Sequence, residues 1–92
     1  MIQSFKDKDT QAVFLGQSPK KYQAIQKQVE RKLTMLDEAV SLDDLKVPPG
    51  NKLEFLQGDR EGTCSIRVNQ QFRICFKWTP KGPEDVEIVD YH

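Results

Sequence analysis

The chain is predicted to fold as an α+β domain, with two to three helices from its first half packed on a twisted, mainly antiparallel sheet of four to five strands. Two features carry that prediction. Apolar residues recur every three or four positions up to Val40, then every second position from Leu53 onward. Between the two regimes lies Val47-Pro48-Pro49-Gly50-Asn51, where consecutive prolines remove two backbone donors and glycine and asparagine favour turns. A chain of 92 residues makes a single domain over 1–92 with one small core.

Ile2–Phe5 is expected as a short first strand. Asp9 or Thr10 can then cap a short helix through Ala12, Val13, Phe14 and Leu15, which Gly16 ends. Ser18 and Pro19 supply a cap and a first-turn proline for the next helix. Its residues Tyr22, Ile25, Val29, Leu33, Leu36 and Val40 are spaced 3, 4, 4, 3 and 4, which draws one apolar stripe along a long amphipathic helix. Lys20, Lys27, Arg31 and Glu38 fall mostly on the solvated side. Ser41 to Asp44 resembles a capping box with Asp in place of Glu, opening one more helical turn through Leu42 and Leu45.

The strand half begins with Leu53, Phe55 and an off-phase Leu56, followed by a loop at Gly58-Asp59-Arg60-Glu61-Gly62. A hairpin comes next. With Asn69-Gln70-Gln71 as its loop, Val68 pairs with Phe72, Ile66 with Ile74 and Cys64 with Phe76, an all-apolar face. The opposite face then sets Arg67 against Arg73, Ser65 against Cys75 and Thr63 against Lys77. Thr79 to Glu84 turns the chain into a final strand, Asp85 to Tyr91. Pairing Trp78 with Val86 places Tyr91 across from Arg73, whereas pairing Arg73 with Asp90 requires a bulge or an offset of one.

Lys plus Arg and Asp plus Glu both total 14, so the formal net charge is zero and long-range attraction to free nucleic acid is weak. A protein with this balance that acts on RNA needs another body to hold its substrate. No stretch reaches the apolar length of a membrane span, and Met1-Ile2-Gln3-Ser4-Phe5-Lys6 lacks the order of a signal peptide, so a cytoplasmic protein is expected. Cys64 and Cys75 lack metal or redox spacing and are expected as reduced, half-buried strand thiols. Acidic residues are scattered and no glycine-rich phosphate loop is present, which argues against a metal or nucleotide cofactor.

The chemistry concentrates at the end of the chain. Asp90, Tyr91 and His92 follow the strand-like run Val86 to Val89, and His92 is the only histidine. Antiparallel pairing returns them toward Arg73. Two arginines side by side on one strand face repel unless an anion joins them, which suggests a phosphate clamp; an ordinary network with Glu87, Asp90 or the terminal carboxylate is the plain alternative. For RNA cleavage the useful roles are a base for the 2′-hydroxyl, an acid for the leaving 5′ oxygen and a cation for the phosphorane. Asp90 or His92 can serve as base or acid, Arg73 as the cation, and Tyr91 as a stacking platform.

The runs Pro48-Pro49-Gly50-Asn51-Lys52-Leu53-Glu54, Gly58 to Gly62, Ser65 to Asn69, Phe72 to Trp78 and Val86 to His92 resemble the HigB (host inhibition of growth) toxins of the RelE/ParE superfamily. Ile2 to Phe5 and the segment Arg31-Lys32-Leu33 with Leu36-Asp37 also fit, so the resemblance spans nearly the whole chain. It implies a RelE-like toxin of a type II toxin–antitoxin system, a ribosome-dependent, metal-independent endoribonuclease cutting mRNA in the A site of the 70S ribosome. It also implies a HigA-like helix-turn-helix antitoxin, through whose complex operator DNA is bound. Carried over by position, the site is Arg73, Asp90, Tyr91 and His92; Arg67, Gln57 and Lys77 are expected as auxiliary RNA contacts mainly from the faces they occupy. Some members have a histidine and a lysine where this chain has Glu54 and Gln57, so Glu54 is a further candidate base and slower cleavage is expected. A ParE-like gyrase inhibitor and a non-catalytic interaction module are the competing functions.

Overall fold

A computed structural model describes residues 1–58 and 62–90. Its elements run α1 (Lys8–Phe14), a 3-10 segment (Lys20–Ile25), α2 (Gln26–Glu38), two 3-10 turns (Leu42–Lys46 and Pro49–Asn51), then β1 (Glu54–Phe55), β2 (Thr63–Arg67), β3 (Phe72–Thr79) and β4 (Gly82–Asp90). The four strands form one antiparallel sheet in sequence order. The helices cover one of its faces. Val13 from α1, Val29, Leu33 and Leu36 from α2, Leu45, and Cys64, Ile66, Ile74, Phe76, Val86 and Ile88 from the sheet make the core.

Local chemistry shifts several boundaries from their expected places. Asp7, not Asp9 or Thr10, caps α1: its carboxylate accepts from the Thr10 N–H at 3.1 Å and from the Thr10 hydroxyl at 2.6 Å. Thr10 is needed elsewhere, because its fully buried Oγ1 also accepts from the Ile88 N–H at 3.0 Å and so ties α1 to β4.

The predicted long helix is two elements. Pro19 offers no side-chain acceptor, and the chain winds first as a 3-10 segment, then breaks at Ile25 (φ −120, ψ 15) before α2 begins. The stripe survives the break because a three-residue turn keeps Tyr22 and Ile25 in register just as the spacing of three requires. It ends sooner than expected. The Asp44 carboxylate accepts from the N–H groups of Val40 and Ser41 at 2.9 and 3.3 Å, the chain turns extended at Ala39, and Val40 stands 87% exposed while Ala39 takes the buried place.

Ile2–Phe5 does not form a strand; one parallel bridge, Phe5 to Val86, attaches it to the outer edge of β4, reinforced by the Gln3 N–H on the Pro83 carbonyl at 2.7 Å. The hairpin follows the expected register from Thr63↔Lys77 to Arg67↔Arg73. Asn69 explains its loop: the side-chain carbonyl accepts from the N–H groups of Gln71 and Phe72 at 2.8 and 2.7 Å, closing a turn that backbone alone would leave open.

The connection to β4 is shorter than predicted, with β3 reaching Thr79 and β4 starting at Gly82. Pro83 is tolerated there because β4 is the last strand of the sheet. A register shift opposite Cys75 to Lys77, with Asp85 at φ 53, then moves the pairing by one residue. Without it Ile88 would face Arg73's side of the sheet; with it Ile88 pairs with Ile74 and joins the core. Gly82 has φ 132, and a methyl group there would run into the Met1 backbone carbonyl. Gly82→Ala is expected to lower stability by about 1–3 kcal/mol, read as a fall in the urea midpoint; a midpoint equal to the parent's would contradict the packing of Met1 on this turn.

Candidate functional site

Residues paired across neighbouring strands share a sheet face, so the face away from the helices carries Arg67 and Arg73, Ser65 and Cys75, Thr63 and Lys77, and from β4 Val89 and Glu87. Glu54 joins them through its pairing with Ser65. Arg73 lies at the centre of this surface and is only 7% exposed. A permanent charge in such a place requires fixed acceptors. Nε donates to the Ser65 hydroxyl at 2.8 Å, and Nη2 donates to the carbonyls of Lys52 and Ser65. Nη1 lies 3.8 Å from a carboxylate oxygen of Glu54, whose side chain is half exposed. The planar fork is thus anchored along one edge, with a carboxylate beside its remaining nitrogen.

The two arginines suggested as a clamp are held by different partners. Arg67 sits across from Arg73, but its Nε donates to the Asn69 carbonyl at 3.1 Å, drawing the guanidinium toward the hairpin loop while Arg73 leans the other way. Lys77 is exposed on the same face, 3.9 Å from the Asp85 carboxylate. Gln57 is exposed beyond β1.

Asp90 pairs with Phe72, not with Arg73, whose partner is Val89. The bulge therefore assigns Asp90 to the side of the sheet opposite Arg73, where it accepts from the Gln71 side chain at 3.2 Å. Tyr91 and His92, and the loop residues Asp59, Arg60 and Glu61, lie outside the described residues.

Two supports of Arg73 were not among the sequence candidates. Ser65 was assigned to the right face, and a register diagonal of two residues brings a long side chain from Arg73 within its reach, so the strand pairing already contained that contact. The Lys52 carbonyl had no such signal, since a turn 21 residues away delivers it.

Farther along β3 the same face holds a polar cleft of about 160 Å³ bordered by Lys6, Thr63, Cys75, Lys77, Asp85 and Glu87, crossed by a 3.1 Å ion pair between Lys6 and Glu87. Cys64 and Cys75 are buried more deeply than expected, and burial pushes the Cys64 thiol up from its ordinary value. Chemically the surface offers an oriented guanidinium for an oxyanion and an adjoining carboxylate able to take a proton. Among the described residues no helix is long and apolar enough to cross a membrane.

Known proteins match this chain along most of its length. A family model described as a RelE-like toxin of type II toxin–antitoxin system HigB fits residues 3–92. Toxin HigB-1 of Vibrio cholerae serotype O1 is 42% identical over 82 residues, covering 85% of this chain and 84% of that protein. An uncharacterized protein of Haemophilus influenzae is 40% identical over 52 residues, 56% of this chain and 52% of its own.

Proposed function

Because the chain belongs to the HigB-like family of RelE-like toxins from type II toxin–antitoxin systems, with an antitoxin as its partner, we propose that it is an endoribonuclease cutting messenger RNA in the ribosomal A site. The observation that carries this is the Arg73 guanidinium, anchored by Ser65 and Lys52 beside the Glu54 carboxylate. A cation fixed before the substrate arrives needs no reorganisation when charge builds on the phosphorane.

The 2′-oxygen attacks phosphorus as its proton is taken, the bond to the 5′ oxygen breaks, and that oxygen receives a proton, leaving a cyclic phosphate and a free 5′-hydroxyl. Glu54, adjoining Arg73, is the base in this scheme. His92 is the acid and Tyr91 the platform on which a splayed base stacks. Asp90, which accepts from Gln71 at the end of β4, is a further proton-handling group of the tail that ends in His92. Arg67 and Lys77 flank Arg73 on one face and suit contacts to neighbouring phosphates, with Gln57 at the rim.

The zero net charge fits a division of labour, in the cytoplasm, in which the 70S ribosome presents the messenger and the toxin supplies the chemistry. A helix-turn-helix antitoxin of the HigA type would carry the complex to operator DNA. Mapping transcript 5′ ends after brief induction tests the scheme. New ends in phase with codons, present only during translation and absent for His92→Ala, are expected. DNA damage signalling without cut messages would instead point to gyrase as the target.

A further inference from the structure

The Lys52 carbonyl that anchors Arg73 belongs to a turn with unusual support. Lys52 is left-handed (φ 44, ψ 57), a conformation that directs its carbonyl away from the path of an ordinary turn. Directly before it, Asn51 is completely buried. Its side-chain N–H₂ donates to the Leu45 carbonyl at 3.1 Å and meets the Met35 sulfur at 3.0 Å, while its Oδ1 accepts from the ammonium of Lys32. Met35 and Lys32 are one turn apart on α2, whose Val29, Leu33 and Leu36 are fully buried.

We propose that Lys32 and Asn51 are positioning residues for Arg73, which reference the Lys52 carbonyl to the rigid frame of α2 and so fix the guanidinium on the sheet face away from the helices. The inference rests on the proposed cleavage for its catalytic consequence. A half-buried lysine on a helix is costly unless its head group has a function, and burial lowers the Lys32 ammonium below its ordinary value. Here that function is one hydrogen bond to the buried amide oxygen of Asn51. Arg73 receives its sheet anchor from Ser65 and its helix anchor through this relay, so two independent parts of the core fix a single side chain.

Three variants of the full chain test this: Lys32→Met, which keeps the stem and loses the donor, Lys32→Arg, which keeps a donor, and Arg73→Ala. Two readouts are paired, single-turnover cleavage of messenger on programmed ribosomes and the NMR signals of the Arg73 guanidinium in the free protein. Lys32→Met is expected to cut about tenfold more slowly with ribosome affinity within twofold of the parent, and to speed Arg73 guanidinium rotation at least tenfold. Lys32→Arg should restore both to within about threefold. If Lys32→Met does not fold, Lys32→Gln, whose shorter amide falls short of Asn51, takes its place. A folded Lys32→Met or Lys32→Gln protein with parental Arg73 signals overturns the inference, as does its parental cleavage when Arg73→Ala is inactive. Full cleavage by Arg73→Ala would sink the catalytic scheme instead, leaving the guanidinium signals to decide the relay.

Discussion

Arg73→Ala is expected to reduce cleavage of ribosome-bound messenger by about 10²–10³-fold, the loss typical of removing one fixed donor to a developing oxyanion. The same change takes a partner from the buried Ser65 hydroxyl and from the Lys52 carbonyl, so stability should also fall, by about 1–3 kcal/mol. A second variant separates the two effects. Arg73→Lys keeps the charge but has one nitrogen where the guanidinium uses three, and it cannot bond Ser65 and Lys52 while facing Glu54. It should remain folded by circular dichroism and still cut at least tenfold more slowly. A folded Arg73→Lys protein with the parent's rate would show that charge alone suffices and that the anchored geometry has no part in the chemistry.

Phe76→Ala should produce the largest loss of stability in the chain, about 3–5 kcal/mol. Phe76 is among the largest fully buried side chains and sits in β3, an inner strand paired on both sides. Domains of this length are stable by only about 5–14 kcal/mol, so the variant retains a fraction of its margin, and its melting temperature should drop by about 15–30 °C. Thermal unfolding followed by circular dichroism reads it directly. A loss below about 1 kcal/mol would mean the sheet and helices do not close on this ring.

These expectations draw on parts of the molecule that were unequally legible in the sequence. The hairpin could be read in full, because a three-residue loop keeps Val68, Ile66 and Cys64 opposite Phe72, Ile74 and Phe76, whereas a two-residue loop mixes the faces. The central stripe from Tyr22 to Leu36 was equally plain. What escaped were the points at which a regular element stops or slips by one residue. Asp44 reaches back to cut the stripe before Val40, and the bulge at Asp85 carries Asp90 to the face opposite Arg73. Periodicity counts residues and cannot see one inserted in a ladder. The position of Arg73 was legible for the same reason as the hairpin; the way its side chain is held was not, since the Lys52 carbonyl comes from a non-repetitive turn.

The attachment of Gln3 to Lys6 along β4 has a consequence for how another polypeptide can join this one. Backbone donors and acceptors on that margin already meet Pro83 and Val86, and the opposite margin is the two-residue strand Glu54–Phe55. Among the described residues, little ladder remains for an incoming strand to prolong. An incoming strand would find its longest unpaired margin, among the described residues, at Glu54–Phe55.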